Sequence, residues 1–299
     1  MKTHKITPCL WFDSNAEEAV EFYTSLFDDS ASGKISRYGK EGYEQHGMQE
    51  GTVLTVKFTL AGKPFLALNG GPYYKFSPAV SFFVVCESME ELDRIWKGLE
   101  DRGQVLMALD KYDWSEKYGY LTDRFGVSWQ LSYGKIEDTG KKISTSFLFI
   151  GDQLGRAEEA IHFYTSVFPS SIIDGILKFT DEDGIMAGKV KHAQFRLLDE
   201  TFMIMEEGSD YNFNITPAIS QMIECETQEE IDHYWNKLSE GGREERCGWL
   251  QDRFGVSWQV VPAMLSKGME DPQKAKKLTA AFMPMKKLNI KILKEALES

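Results

Sequence analysis

No stretch of about 18 apolar residues occurs in the chain, so no membrane-spanning helix is expected. A basic excess is missing too. The net charge is −12, which argues against a general nucleic-acid binder, because phosphate recognition needs a positive surface. The N-terminal stretch Met1 to Pro8 has no apolar signal core. Cysteine is scarce. Cys9, Cys86, Cys225 and Cys247 form no C-x-x-C pair. They read as reduced, mostly buried thiols, and the expected location is cytoplasmic. Apolar residues are not lacking: 42% hydrophobic and 13% aromatic content suffices for packed cores, and 299 residues suggest about two domains.

What is present is a repeat. Asp123-Arg124-Phe125-Gly126-Val127-Ser128-Trp129-Gln130 recurs residue for residue as Asp252 to Gln259. Identity over eight residues, a tryptophan included, marks two copies of one unit. Asp-Arg-Phe-Gly reads as a turn, with Gly126 free to adopt a positive φ. Val-Ser-Trp-Gln-Leu reads as a strand. Alternation puts Ser128 and Gln130 on one face and Val127, Trp129 and Leu131 on the other. Trp129 and Trp258 therefore belong to the core under the helices.

Each copy contains two smaller units of order βαβββ. The first opens on a strand from Ile6 to Phe12, followed by a helix from Ala16 to Phe27 with Ala19, Phe22, Tyr23 and Leu26 in one apolar stripe. A weak strand near Ile35, a strand from Thr52 to Leu60, a hairpin turn at Ala61-Gly62-Lys63 and a return strand from Pro64 to Asn69 complete it. The pattern restarts with a strand from Ala79 to Cys86, a helix capped by Ser88 with Glu91 in a capping box, and the repeated strand after Gly126. Residues 104–119 read as a long aromatic-rich loop with at most one short strand, followed by a strand from Tyr120 to Asp123. The section Leu106 to Tyr118 has no counterpart in copy two, so Tyr112, Trp114 and Tyr118 are candidates for a lid. The alternative is a packed loop filling the same groove. The expected domains are 1–134 and 143–263, joined by a polar linker at 135–142 and followed by a helical extension at 264–299. In that extension Asp271-Pro272 starts a helix and Asn289 caps another. Its lysines read as the outer face of a tail packed on the body; docking to an acidic partner or membrane is the other reading.

Pro-Cys-Leu-Trp-Phe, Ala-Glu-Glu-Ala-Val-Glu-Phe-Tyr, Pro-Phe-Leu-Ala-Leu-Asn-Gly-Gly and Gly-Val-Ser-Trp-Gln resemble the PhnB-like branch of the glyoxalase, bleomycin-resistance and dioxygenase superfamily, the vicinal oxygen chelate (VOC) group. The likeness covers both copies. It implies an α+β fold: two tandem VOC-like domains, each a pair of βαβββ units whose curved, mostly antiparallel sheet forms a cup with helices outside. It also implies that the duplicated chain forms a dimer-like pair within itself. Strand exchange between the copies stays open, as does a further homodimer. Members of this branch often carry a methyltransferase label. The sequence offers no Gly-rich loop after a long apolar strand to support it.

Enzymes of the superfamily place metal ligands on the concave face, on the first strand of a unit and at the end of its fourth. The matching positions here are Thr7, Cys9 or Trp11, then Ser144, Ser146 or Leu148, with Ser81 and Ser220 in the second units. The fourth-strand positions are Asn69, Glu206, Gln130 and Gln259. Glu206 is the only charged ligand among them and the best catalytic candidate. A catalytic divalent metal normally takes three protein ligands of imidazole or oxygen type, so the set is incomplete. The expectation is a small-molecule-binding protein without a required cofactor, its ligand contacted by Asn69, Gln130, His192, Glu206 and Gln259. The alternatives are a metal-dependent enzyme of lyase, isomerase or dioxygenase type that uses a divalent metal, and an interaction scaffold with filled cups.

Overall fold

The computed structural model describes residues 5–298, the side chain of Gln45 excepted. Residues 1–4, part of the N-terminal stretch read for a signal segment, and Ser299 lie outside the described residues. Four βαβββ units follow one another. The first is β1 (Ile6–Phe12), α1 (Ala16–Leu26), β2 (Ala31–Arg37), the single turn α2 (Tyr43–His46), β3 (Val53–Leu60) and β4 (Lys63–Asn69). The second is β5 (Val80–Cys86), α3 (Met89–Glu100), β6 (Gln104–Tyr112), β7 (Ser115–Thr122) and β8 (Ser128–Tyr133). A short helix α4 (Ile136–Thr139) precedes the third: β9 (Ile143–Phe149), α5 (Ala157–Val167), β10 (Ile172–Lys178), β11 (Val190–Leu197) and β12 (Glu200–Glu206). The fourth is β13 (Ile219–Cys225), α6 (Gln228–Leu238), β14 (Arg243–Glu244), β15 (Trp249–Gln251) and β16 (Ser257–Pro262). The tail adds α7 (Ala263–Gly268), α8 (Pro272–Phe282) and α9 (Ile290–Glu298).

The strands form two curved eight-stranded sheets. One runs β14-β15-β16-β13-β1-β4-β3-β2 and the other β10-β11-β12-β9-β5-β8-β7-β6. Inside every unit the first strand lies parallel to the fourth. The seams are antiparallel, with Ile6 opposite Ile223 and Val80 opposite Phe147. Each sheet therefore joins one βαβββ unit from each copy. The exchange left open by the sequence is present. The copies at 1–134 and 143–263 are units of sequence, and the compact units are a different partition. Unit 1 takes the chain up to Ser25, Asp29–Lys75 and everything from Pro217 onward; unit 2 takes Leu26–Asp28 and Phe76–Thr216.

The repeated octapeptide holds each sheet to its turn. Asp123 Oδ1 accepts from the N–H groups of Phe125 and Val127 at 2.8 and 3.1 Å, and Oδ2 accepts from Trp129 Nε1 at 2.8 Å. Asp252 makes the same three bonds to Phe254, Val256 and Trp258. Gly126 and Gly255 sit at φ +90° and +86°, a region that other residues adopt only with strain. Trp129 and Trp258 are fully buried, as alternation requires. Further local expectations hold. Ala61 and Gly62 both take positive φ in the β3–β4 hairpin. Ser88 Oγ accepts from the N–H of Glu91, whose carboxylate accepts from the N–H of Glu87 rather than from Ser88 itself.

One expectation fails. Residues 104–119 are not a loop but most of the long hairpin β6–β7, which forms the sheet edge in unit 2. Its pairing shifts register three times, and such irregularities destroy the alternation by which a strand is recognised. The polar linker at 135–142 contains the short helix α4. In the tail, Asp271 caps α8 through the N–H groups of Gln273 and Lys274, and Asn289 accepts from Ile292 N. Leu278, Leu288 and Leu293 are fully buried against Met222 and Val261. Lys276, Lys286 and Lys287 pair with Glu41, Glu244 and Asp232 of the body. Among the described residues no helix is long and apolar enough to cross a membrane.

Candidate functional site: the cup of unit 1

The sheet register decides which side chains share the concave face of unit 1. Cys9 stands opposite Ser220 and Trp249 opposite Gln259, and directly opposed residues project to one side. Gln259 Nε2 donates to Ser220 Oγ at 2.9 Å. Burial pushes the Cys9 thiol up to about 12, with hydrogen bonds to Gln259 and Ser220 pulling the other way. Cys9 is thus a neutral thiol in a small polar cluster. Two residues along β1 the floor turns aromatic. The Trp11 ring lies edge-on to Tyr74 at 4.9 Å and to Trp249 at 5.8 Å between centroids. Trp11 Nε1 donates to the carbonyl of Gly71 at 2.8 Å. Gly70 lets the indole approach, since a Cβ there would stand 2.1 Å from the ring.

Above this floor is a cavity of about 820 Å³. Trp11, Leu54, Tyr74 and Trp249 line it from the sheet side, and Phe282 and Met283 from the tail. His46, also on its wall, is held through Nε2 by the carbonyl of Glu41 and accepts from Met48 N at Nδ1. Burial raises the Tyr74 hydroxyl above its ordinary range; nearby Glu245 adds to this and Arg243 opposes it. Cys247, on the same wall, is raised to about 11 by burial against the opposing charge of Arg246.

The residues expected to contact ligand do not come together. Asn69 faces the helices. Its Oδ1 accepts from Ala16 N at 2.9 Å, starting α1, and its Nδ2 donates to Glu17 and to the carbonyl of Val53. Glu206 has the equivalent place in unit 2. One carboxylate oxygen accepts from Gly155 N and Ala157 N at 2.5 and 3.2 Å, and the other from Val190 N at 2.6 Å. It caps α5 and ties in β11, so the expected catalytic carboxylate is a structural one. The signal was parity: Glu206 shares its face with Phe202 and Ile204, both buried.

Gln130 and His192 lie in unit 2. Gln130 Oε1 accepts the Tyr118 hydroxyl at 2.7 Å, while its Nε2 donates to Ser81 Oγ at 2.8 Å and reaches Ser146 Oγ at 3.4 Å. Burial lowers the pKa of His192. Beside it on β11, Gln194 donates to Asp174 and the carbonyl of Asp138, and Arg196 forks onto Asp174 at 2.7 and 3.1 Å. The α4 segment is strapped to β12 through Thr201 Oγ1, which donates to the carbonyl of Thr139. Of the expected lid, Tyr112 stacks on Trp114 at 4.9 Å while Tyr118 is a buried floor residue. Sequence reasoning missed Trp249 and Tyr74. Trp249 was within reach, because the turn at Asp252 to Gly255 dictates that it faces Gln259.

The mapped metal positions of unit 1 supply hydroxyls, a single thiol, an indole and an amide, while Asn69 faces away. Among the described residues no three His, Cys, Asp or Glu side chains cluster to hold a metal ion. This donor set does not fit a divalent cation, which needs anionic or imidazole ligands.

Comparison with known proteins agrees with the fold. Residues 4–132 and 141–261 each match the model of the family described as 3-demethylubiquinone-9 3-methyltransferase. The PhnB protein of Bacillus cereus is 43% identical over 44% of this chain and the whole of that one, with a TM-score of 0.40. The chain belongs to the PhnB-like family. YjdN of Escherichia coli (strain K12) is 26% identical to this PhnB-like chain over 145 residues, 45% of the chain and 98% of that protein. A glyoxalase I mutant from Zea mays is 11% identical and covers 88% of the chain and 96% of its own, with a TM-score of 0.56. That likeness is one of fold, the glyoxalase-like VOC fold.

Proposed function

We propose that this PhnB-like chain binds a small, largely apolar molecule in the cup of unit 1, without a resident divalent metal. The observation that carries the reading is the cavity of about 820 Å³ over Trp11, Tyr74 and Trp249, within the size range of small-ligand sites. Aromatic walls with a few polar groups suit an apolar body held in one orientation. The cup of unit 2 is read as structural, because the Tyr118 hydroxyl and α4 occupy its concave face. Methyl transfer is not assigned: both sheets mix parallel and antiparallel pairs, unlike the doubly wound parallel sheet.

The test is a titration of the full chain with small aromatic compounds, followed by tryptophan emission. Binding should quench or shift the emission and raise the melting temperature by mass action. Trp249→Ala should weaken binding about tenfold or more, since one aromatic contact is worth roughly 1–3 kcal/mol. Affinity unchanged in Trp249→Ala would move the site out of this cup.

A further inference from the structure

The wall of the unit 1 cavity is charged, and its charges are unequally matched. Four carboxylates line it, and each has a basic partner. Glu41 pairs with Lys276 at 3.4 Å, Glu50 with Lys40 at 3.7 Å, Glu245 with Arg243 at 2.6 Å, and Glu270 with both Lys57, at 2.9 Å, and Lys34. Two guanidinium groups on the same wall are left over. Arg37 donates to the neutral carbonyl of Gly51 at 2.9 Å. Arg246 makes no hydrogen bond or ion pair through its side chain among the described residues. Neither has a carboxylate partner among the described residues, in a chain whose net charge is −12.

A guanidinium stays charged at every working pH, and its planar fork matches carboxylate, sulfonate and phosphate oxygens. Glu270 answers two lysines and each of the other three carboxylates answers one cation, so none of the four is bonded to Arg37 or Arg246. The wall of the cavity therefore offers two guanidinium groups not taken up by its carboxylates, over a floor that is aromatic. We infer that the ligand is an amphipathic organic anion: a flat, apolar or aromatic body against Trp11 and Trp249, carrying a carboxylate- or phosphate-class group answered by Arg37 and Arg246. This deepens the small-molecule reading above and rests on it.

A matched pair of probes separates the two ideas. 1-Anilinonaphthalene-8-sulfonate and N-phenyl-1-naphthylamine differ only by the sulfonate. Both are titrated against the full chain, Arg37→Gln, Arg246→Gln, the double variant and Trp249→Ala, with far-UV dichroism confirming each fold. The sulfonate probe should bind the wild type more tightly than the neutral one. The double Arg variant should weaken it about fivefold, the scale of two exposed ion pairs, and added salt should do the same. The neutral probe should be unaffected by either. Equal affinities for the two probes, with no response to the Arg variants, would overturn the anion while leaving the cup reading in place. Failure of both probes to bind, or binding indifferent to Trp249→Ala, would overturn the cup reading and the anion with it.

Discussion

Tyr118 donates its hydroxyl proton to Gln130 Oε1 at 2.7 Å, and the pair closes the floor of the unit 2 cup. Gln259, the counterpart of Gln130, meets no such phenol, because Cys247 stands where the repeat would put Tyr118. Two nearly identical strands thus end in different environments. One glutamine is held on both sides of its amide. The other keeps a bond to Ser220 and lies on the face that carries the aromatic cavity.

Tyr118→Phe removes the donor and leaves a buried amide oxygen without its partner. Gln130 is 3% exposed, so solvent cannot replace the bond. The variant should lose about 1–3 kcal/mol of stability, read as a lower urea midpoint. Probe binding in unit 1 should be unaffected. An unchanged midpoint would show that the bond adds nothing net to the fold.

Glu206→Gln tests the structural reading of that carboxylate. The amide keeps one acceptor oxygen but has no charge with which to hold three N–H groups. Stability should drop by about 2 kcal/mol or more, and amide exchange should rise at Gly155, Ala157 and Val190. Ligand affinity in the unit 1 cup should not change. A loss of binding with no loss of stability would return Glu206 to the role first expected of it.

The lowered pKa of His192 has a consequence for acid stability. The folded imidazole holds its proton less firmly than the unfolded one, because burial disfavours the charged form. Its contribution is therefore complete above the ordinary value of 6.5 and is lost as the pH falls through it towards the lower folded value. Between roughly pH 7 and pH 5 the wild type should lose more melting temperature than His192→Gln. Parallel slopes for the two proteins would contradict this.

Much of the fold was legible because the repeat and its turns are written in residue types that have few alternatives. Asp123 to Gln130 needs its aspartate for two backbone bonds and an indole, its glycine for a positive φ, and its tryptophan for the core. The tail was legible for the same reason, through Asp271, Pro272 and Asn289. The site was less so. Strands β4 and β12 are apolar on both faces, so neither Leu66 and Leu68 nor Met203 and Met205 mark the concave side, and Asn69 and Glu206 were placed on the wrong one. Arg37 and Arg246 stand out only once the pairing of Glu41, Glu50, Glu245 and Glu270 is known. That pairing depends partly on a tail helix whose docking no local pattern reveals.

The exchange of units between the two copies also dictates an order of assembly. Val84 needs only Ile143 to form its seam, and the run Phe76–Thr216 contains nearly all of unit 2. Ile6 must wait for Ile223, its sheet is complete only with β16, and the tail helices pack on it after that. During synthesis the middle of the chain can therefore close first, while the opening βαβββ unit waits unpaired with its β1 edge exposed. Closing the longer loop costs more chain entropy and makes the second step the slower one. The cup with the cavity is the last part of the protein to exist, and aggregation during folding should start from β1.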